Sequence, residues 1–183
     1  LVLTTAGGWG VVTADAVTSH PDLTLTALPD DLLVAVDAML PPRWSRNNPV
    51  DLAGGETRDT IPELLELVAG HPGIDSILQL GLGIQGNTAA LTRRGPFHPD
   101  HGLERIVDYH ERQERRYAEA AAEASATHSK PILVASELAV AQPENPMVTA
   151  VRESGRYCYP SADRAVAALG RMAWYADWLW ART

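Results

Sequence analysis

Short apolar runs alternate with helix-like segments along this chain, and this alternation limits its fold more than any other feature. The apolar run at 1–4 leads through a glycine-rich stretch at 6–10 into a helical pattern at 11–17. Further apolar runs lie at 74–80 and 131–135, with helical patterns between them. Strands that are separated by helices form βαβ units, in which the strands are parallel. The pattern therefore predicts an α/β fold with a parallel sheet.

The predicted elements define the topology of this sheet and the number of domains. The predicted strands are 1–4, 23–28, 74–80, 131–135 and 157–159, and the segment 43–57 is predicted to be an ordered loop. Five parallel strands with helices on both faces are typical of a flavodoxin-like, doubly wound, three-layer α/β/α fold with strand order 2-1-3-4-5. We expect residues 1–183 to form a single domain. Because the chain opens inside a strand, we expect it to be a fragment of a longer multidomain polypeptide.

Composition and charge exclude several classes of function. The 183 residues are 45% hydrophobic and 21% charged, which is enough apolar chain to bury a core. Fifteen basic and 23 acidic residues give a net charge of −8. A general attraction to nucleic acid or to anionic lipid is therefore not expected. A phosphate-bearing ligand would have to be held by local groups.

The single cysteine and the short apolar runs bear on the compartment. Cys158 has no partner for an internal disulfide, which favours a reducing compartment such as the cytoplasm. No apolar stretch approaches the roughly 20 residues that span a bilayer. We therefore expect a cytoplasmic location and no membrane partner.

The glycine-rich stretch after the first strand is the strongest candidate for a binding site. It consists of Ala6, Gly7, Gly8, Trp9 and Gly10. In an open parallel sheet, ligands collect at the carboxyl ends of the strands. Glycines let the backbone approach an anion closely, and the following helix presents free N–H groups and the positive end of its dipole. The stretch predicts phosphate binding, with a ligand-free tight turn as the alternative. It lacks the Lys-Ser or Lys-Thr pair of a Walker A loop.

Two other candidate sites follow the third strand. The stretch 81–86 has the glycine spacing of a dinucleotide site, but a spacing match alone is a weak signal, and we predict a loop over 81–99. His98, Asp100, His101 and Glu104 offer metal-ligating atoms at close spacing. Histidines in a proline-rich loop are more commonly solvated, so we predict no metal site. The aromatic residues at 174–180 are predicted to pack the last helix against the sheet or against a neighbouring domain.

A set of motifs along the chain resembles a known family of ligases. The motifs are TTAGGWGV at 4–11, LP at 28–29, LPP at 40–42, NPVDL at 48–52, GHPGID at 70–75, KP at 130–131 and YPS at 159–161. In this order they resemble the second flavodoxin-like subdomain of ADP-forming acyl-CoA synthetases. These enzymes are acetate-CoA ligases that are related to succinyl-CoA synthetase. The resemblance covers nearly the whole chain.

The resemblance implies an activity and a role for some of the residues. The family makes acyl-CoA from a carboxylic acid, ATP and CoA through an acyl phosphate and a phosphohistidine. It implies that 6–10 form a phosphate-stabilising loop, with Asn48 and Asp51 in a supporting loop. ATP, Mg and CoA are implied for the complete enzyme and not for this chain. The CoA-binding, phosphohistidine and ATP-grasp subdomains would be its partners, on the same or another chain.

The histidines and the residue at position 9 depart from the family pattern. None of the six histidines stands in the phosphohistidine motif, so no catalytic residue is assigned to this chain. Trp9 fills a position where a smaller residue, often proline, is expected. Two other classes of function remain as alternatives: a noncatalytic phosphate-binding or regulatory module of the same fold, and a free-standing enzyme with a metal at His98 and His101.

Overall fold

Strands and helices alternate along the computed structural model, which describes residues 1–55 and 57–182. The strands are β1 (Val2–Thr4), β2 (Val50–Asp51), β3 (Ile77–Leu80), β4 (Ile132–Ala135) and β5 (Cys158–Tyr159). The helices are α1 (Gly7–Thr18), α2 (Asp30–Met39), α3 (Thr60–Gly70), α4 (Ile84–Arg93), α5 (Leu103–His128), α6 (Leu138–Ala141), α7 (Pro146–Glu153) and α8 (Ala162–Trp180). Within the described residues, no helix combines the length and the apolar character that crossing a membrane requires.

The five strands form one parallel sheet with the order β2-β1-β3-β4-β5. Leu3 is aligned with Val50 on one side and with Gln79 on the other. The order reverses at β1, so that β1 and β3 lie side by side and the chain continues outward from them in opposite directions. The predicted flavodoxin-like fold and strand order are confirmed, and the carboxyl ends of β1 and β3 lie next to each other at the reversal.

Alternate side chains of the strands build two cores, one on each face of the sheet. Val2 and Leu78 point to the face that α1 and α8 cover, where they pack with Leu169 of α8. Leu3 and Ile77 point to the opposite face, which α2, α3, α5 and α7 cover. Because both faces are covered, the strands are apolar on both sides, as parallel strands in such folds usually are.

The second strand is not where the sequence predicted it, and this is a correction. The segment 23–28 forms no strand, and β2 lies inside the segment 43–57, which was predicted to be a loop. Asn48 explains the arrangement, because its Oδ1 accepts from the backbone N–H of Val2 at 2.9 Å and its Nδ2 donates to the carbonyl of Thr26 at 2.9 Å. The segment 23–28 is thus joined to the sheet through a side chain, and the edge of β1 is taken by β2.

The segment after β3 also differs from its prediction. The stretch 81–99 was expected to be a loop, but it contains the ten-residue helix α4, which packs against α5. The short helix α6 was not predicted either. Two later helices are capped by side chains, since that of Asn145 accepts from the N–H of Met147 and that of Ser161 accepts from the N–H of Arg164.

The aromatic end of α8 does not pack against the sheet. Trp174 and Tyr175 are more than half exposed, and Trp180 is 74% exposed. Arg182 lies over the ring of Trp178, with its guanidinium carbon 3.6 Å from the ring centroid. Of the two alternatives given for these residues, packing on the sheet is therefore wrong, and packing against a neighbouring domain stays a prediction.

Candidate functional site

The glycine-rich stretch 6–10 forms the junction between β1 and α1. Ala6 has an extended backbone and precedes the helix without a side-chain cap. The hydroxyl of Thr4 holds Ala6, since it accepts from the N–H of Ala6 at 3.0 Å and donates to its carbonyl at 2.9 Å. Within residues 1–55 and 57–182, no atom accepts a hydrogen bond from the N–H groups of Gly7, Gly8 or Trp9. The first turn of α1 therefore presents free donors.

The glycines of this junction differ in what surrounds them. A Cβ atom added at Gly8 would have no atom within 4 Å, so this position faces open space. A Cβ atom at Gly7 would lie 2.5 Å from Oδ2 of Asp51, and one at Gly10 would lie 3.0 Å from Cγ2 of Thr4. Gly10 therefore lets α1 approach β1, whereas Gly8 leaves the start of the helix accessible.

Asn48 and Asp51 lie beside this junction, on the supporting loop. Asn48 is 5% exposed, and its side-chain amide binds β1 through Oδ1 and the segment 23–28 through Nδ2. Asp51 ends β2, and its Oδ1 accepts from the N–H of Ala53 at 3.0 Å. A carboxylate near a helix N-terminus interacts favourably with the dipole and repels other anions. An anion would thus reach the free N–H groups from the open side at Gly8.

The second glycine-rich turn, after β3, leads into α4. Gly83 has a φ of 98°, and a Cβ atom there would lie 2.6 Å from Cδ1 of Leu138, so the position requires glycine. Glu114 reaches this turn from the middle of α5. Its Oε2 accepts from the N–H of Gly83 at 2.7 Å, and its Oε1 accepts from the N–H of Gln85 at 2.8 Å.

The hydrogen bonds of Glu114 determine whether this second turn can bind a ligand. A dinucleotide site needs free N–H groups at the start of the helix to bind the pyrophosphate. Here the carboxylate of Glu114 already takes two of them, although β3, the turn and α4 supply the strand and the helix that such a site requires. Burial raises the pKa of the Glu114 carboxyl above its ordinary value, and its hydrogen bonds from the backbone lower it in part. The turn after β3 therefore has a structural role, in which Glu114 connects it to α5.

A cavity of about 150 Å³ lies next to the first junction. It opens at the carboxyl ends of β3 and β4, between the starts of α1 and α8. Trp9 belongs to both the junction and the cavity wall. Gly81 joins them as well, because its carbonyl accepts from the hydroxyl of Thr5 at 2.8 Å. The cavity and the free N–H groups are therefore parts of one surface.

The other candidates do not assemble into a site. His98, Asp100, His101 and Glu104 form no metal cluster, since the described part of the chain contains no group of three or more histidine, cysteine or carboxylate side chains placed to hold a metal ion. Cys158 is buried in β5. Burial raises the pKa of its thiol to about 11, which leaves it a poor nucleophile at neutral pH.

Two functional features were missed from the sequence. Glu114 sits in a highly charged helix, where a buried carboxylate has the same spacing as its exposed neighbours, so no pattern marks it. The cavity was also missed, because it is assembled from four separate segments. The glycines at 81 and 83 were a usable signal, since two glycines so close together after a strand indicate a turn that something must stabilise.

The fold and this junction define a class of protein: a flavodoxin-like α/β domain with an uncapped helix N-terminus at the carboxyl edge of its sheet. Residues 1–86 match the model of the Ligase-CoA domain family. The predicted resemblance to the ADP-forming acyl-CoA synthetase (acetate-CoA ligase) family is confirmed by this match together with the similar structures, over part of that enzyme's length. No curated protein matches the chain.

Solved structures share the fold over almost the whole chain. The crystal structure of PH0766 from Pyrococcus horikoshii OT3 aligns with a TM-score of 0.66 and 19% identity, covering 94% of this chain and 34% of its own. The dinucleotide-forming acetyl-coenzyme A synthetase 1 of Ca. Korarchaeum cryptofilum aligns with a TM-score of 0.63 and 20% identity, both in its apo form and in complex with phosphate and ADP. The alignment covers 32% of that enzyme's chain and 96% of this chain. The chain thus spans about a third of these relatives.

Proposed function

We propose that this chain is a subdomain of an ADP-forming acyl-CoA ligase, in which the start of α1 stabilises a phosphate group. The complete enzyme converts a carboxylic acid, ATP and CoA into acyl-CoA, ADP and phosphate, by way of an acyl phosphate and a phosphohistidine. The single observation that carries this proposal is the set of free N–H groups at Gly7, Gly8 and Trp9, at the edge of the sheet where ligands of such folds collect.

The role of the chain in the reaction follows from what these groups supply. The dipole of the 12-residue helix α1 alone favours negative charge by about 0.3–2 kcal/mol, and the free N–H groups add hydrogen bonds to a bound anion. This is enough to orient and stabilise a phosphoryl group, but not to perform the transfer. The histidine that is phosphorylated, the ATP-grasp fold and the CoA-binding subdomain would come from other subdomains, together with Mg and ATP. By itself the chain would be inactive.

Asn48 and Asp51 would act through the shape of the junction. Asn48 fixes β1 by its bond to the N–H of Val2, so that α1 starts in a defined place. Asp51 lies against Gly7 and disfavours the approach of an anion from that side. The phosphate would accordingly approach over Gly8. The net charge of −8 adds no general attraction, so the specificity rests on this local geometry. We expect the protein to act in the cytoplasm.

The variant Gly8→Val tests this proposal. It adds an isopropyl group at the position where a Cβ atom has no neighbour within 4 Å, and Ala14→Val adds two methyl groups nearly two turns further along α1 as a control. The protein is assayed with the CoA-binding, phosphohistidine and ATP-grasp subdomains for acyl-CoA formation from ATP, CoA and acetate. Gly8→Val is expected to lower turnover by at least about a hundredfold, because its side chain keeps the phosphoryl group away from the N–H groups and the loss of one donor to a developing charge already costs that much, while Ala14→Val stays near the unaltered protein.

Other outcomes separate the alternatives. If Gly8→Val turns over as fast as the unaltered protein, the assignment of the phosphate to this junction is wrong. If no acyl-CoA forms with any subdomain present, but inorganic phosphate binds to the unaltered protein and not to Gly8→Val, the chain is a noncatalytic phosphate-binding module.

A further inference from the structure

The cavity beside α1 has an apolar floor. Leu80 and Leu82 extend from the end of β3, Ala135 ends β4, and Ala162 begins α8. All four are buried, with between 2% and 4% of their surface exposed. The indole of Trp9, which is 43% exposed, closes the side that faces the start of α1. A volume of about 150 Å³ is that of a cavity known to take up a benzene molecule.

Among the described residues that line the cavity, no side chain is lysine or arginine. The hydroxyl of Ser136 donates to the carbonyl of Leu82 at 3.3 Å, and that of Ser161 accepts from the N–H of Arg164 at 3.4 Å. Glu137 is exposed and carries a negative charge at the cavity lining. A negatively charged group is therefore disfavoured inside the cavity and favoured a short distance away, at the free N–H groups of α1.

A ligand that fits both parts must be anionic at one end and apolar at the other. Trp9 belongs to both, because its N–H group is free in the first turn of α1 and its side chain lines the cavity. The contact between Thr5 and Gly81 places the two parts on adjoining segments. An organic acid with a compact hydrocarbon group has this division of charge and apolar surface.

We propose that this cavity receives the hydrocarbon group of the carboxylic acid substrate, and that the Trp9 indole sets the size of that group. This inference rests on the proposed function, in which the activated carboxyl group lies at the start of α1. The acid it favours carries a compact branched or aromatic group of about the size of benzene. Acetate would leave the cavity largely empty, and a long linear chain would not fit within it.

Two variants change the cavity in opposite directions. Ile84, which is 53% exposed, lies in the cavity lining at the start of α4, so Ile84→Trp fills the space without disturbing the core. Trp9→Ala enlarges it. Val140→Trp adds the same bulk on α6, at a position that is 72% exposed and outside the lining, and serves as the control. Helix content and thermal unfolding are recorded for each variant to show that it is folded.

The experiment measures kcat/KM for acetate, isovalerate and phenylacetate with ATP and CoA, in the protein assayed with its partner subdomains. The readout is the ratio of phenylacetate to acetate, because a general loss of activity cancels in that ratio. One methylene in an apolar pocket changes kcat/KM by about 10–200-fold. We therefore expect Ile84→Trp to lower the ratio of phenylacetate to acetate by at least about tenfold. We expect Trp9→Ala to raise this ratio and Val140→Trp to leave it unaltered.

The outcomes distinguish this inference from the proposed function. If acyl-CoA forms but neither Ile84→Trp nor Trp9→Ala changes the ratio, the cavity does not hold the acid, and the proposed function stands without it. If acetate is preferred by the unaltered protein and by both variants alike, the substrate class is overturned in the same way. If no acid is converted under any condition, the proposed function fails, and the inference that rests on it fails with it.

Discussion

The carboxylate of Glu114 and the backbone N–H of Gly83 are joined by a hydrogen bond of 2.7 Å. At the same residue, Nδ2 of Asn145 donates to the carbonyl of Gly83 at 3.0 Å. The turn after β3 is thus closed by side chains from α5 and from the cap of α7. Among the residues that the structure describes, no side chain binds the N–H groups of Gly7, Gly8 or Trp9 at the junction after β1. Of two similar glycine-rich turns, one is thus closed by side chains and the other is open.

Removing the Glu114 carboxylate should destabilise the fold. Glu114→Ala leaves the buried N–H group of Gly83 and that of Gln85 without an acceptor, at about 1–3 kcal/mol for each group. Glu114→Gln should cost less, because its amide oxygen still accepts from one of them. Urea unfolding measures both. Glu119→Ala on the same helix is the control, since Glu119 is exposed and should change stability by less than about 0.5 kcal/mol. Equal costs for Glu114→Ala and Glu119→Ala would refute the capping role.

The raised pKa of Glu114 predicts a pH dependence of stability with a definite sign. Its carboxyl group keeps a proton in the folded state at pH values where the unfolded chain has released it. Unfolding then releases a proton, so the free energy of unfolding falls as the pH rises from the ordinary glutamate pKa of 4.5 through the higher folded value. The advantage of the unaltered protein over Glu114→Gln should therefore shrink across this window and level off above it. An advantage that grows with pH would show that the backbone hydrogen bonds outweigh the burial.

The sequence predicted the central part of the sheet because its strands there are mostly apolar. β3 and β4 are buried on both faces, and this leaves a continuous apolar signal. β2 was misplaced because it contains only Val50 and Asp51, and its position depends on the side chain of Asn48. A two-residue strand has no periodicity to detect, whereas 23–28 has an alternating pattern that the fold uses only to cover the edges of the two cores.

The candidate site was predictable only where it is continuous in the sequence. The stretch 6–10 carries its own signal, since a glycine-rich turn between a strand and a helix is a common place for an anion. The turn after β3 shows that the same pattern can also be purely structural. The contact between Asp51 and Gly7, and the cavity at Trp9, depend on segments that are more than 40 residues apart. Such contacts follow from the strand order, and they could not be derived while β2 was assigned to the wrong segment.

Two glycines in the first turn of α1 should respond oppositely to alanine. Gly8→Ala places its Cβ atom in open space and should stabilise the helix by up to about 1 kcal/mol. Gly10→Ala brings its Cβ atom to 3.0 Å from Thr4 and 3.3 Å from Cβ of Pro49, and such overpacking costs about 1–3 kcal/mol. Thermal unfolding of the two variants measures the difference. If Gly10→Ala were as stable as Gly8→Ala, the close approach of α1 to β1 would be incorrect.

Asn48 should be essential for the edge of the sheet. Asn48→Ala removes the acceptor of the buried Val2 N–H group, which should cost about 1–3 kcal/mol, and it also removes the donor to the carbonyl of Thr26, which is exposed and can bind water instead. Asn47→Ala is a matched neighbour, because Asn47 is exposed and its side chain accepts from the N–H of the adjacent residue, Asn48. Amide hydrogen exchange at Val2 should be faster in Asn48→Ala and unaltered in Asn47→Ala. Unaltered protection in Asn48→Ala would mean that another group holds β1.

The thiol of Cys158 should be almost unreactive in the folded protein. It lies in β5 with 3% of its surface exposed, and burial raises its pKa to about 11. Only the thiolate reacts, so the folded protein at pH 8 should contain about a hundredfold less reactive sulfur than an ordinary thiol would, even before its inaccessibility is counted. Because Cys158 is the only cysteine, iodoacetamide labelling followed by mass spectrometry reports on this site alone. Labelling should be slow in buffer and fast in urea, and its rate in buffer should rise in Asn48→Ala in proportion to the increase in the unfolded fraction. Labelling in buffer at the rate of a free thiol, with the fold intact, would place Cys158 at the surface and β5 outside the core.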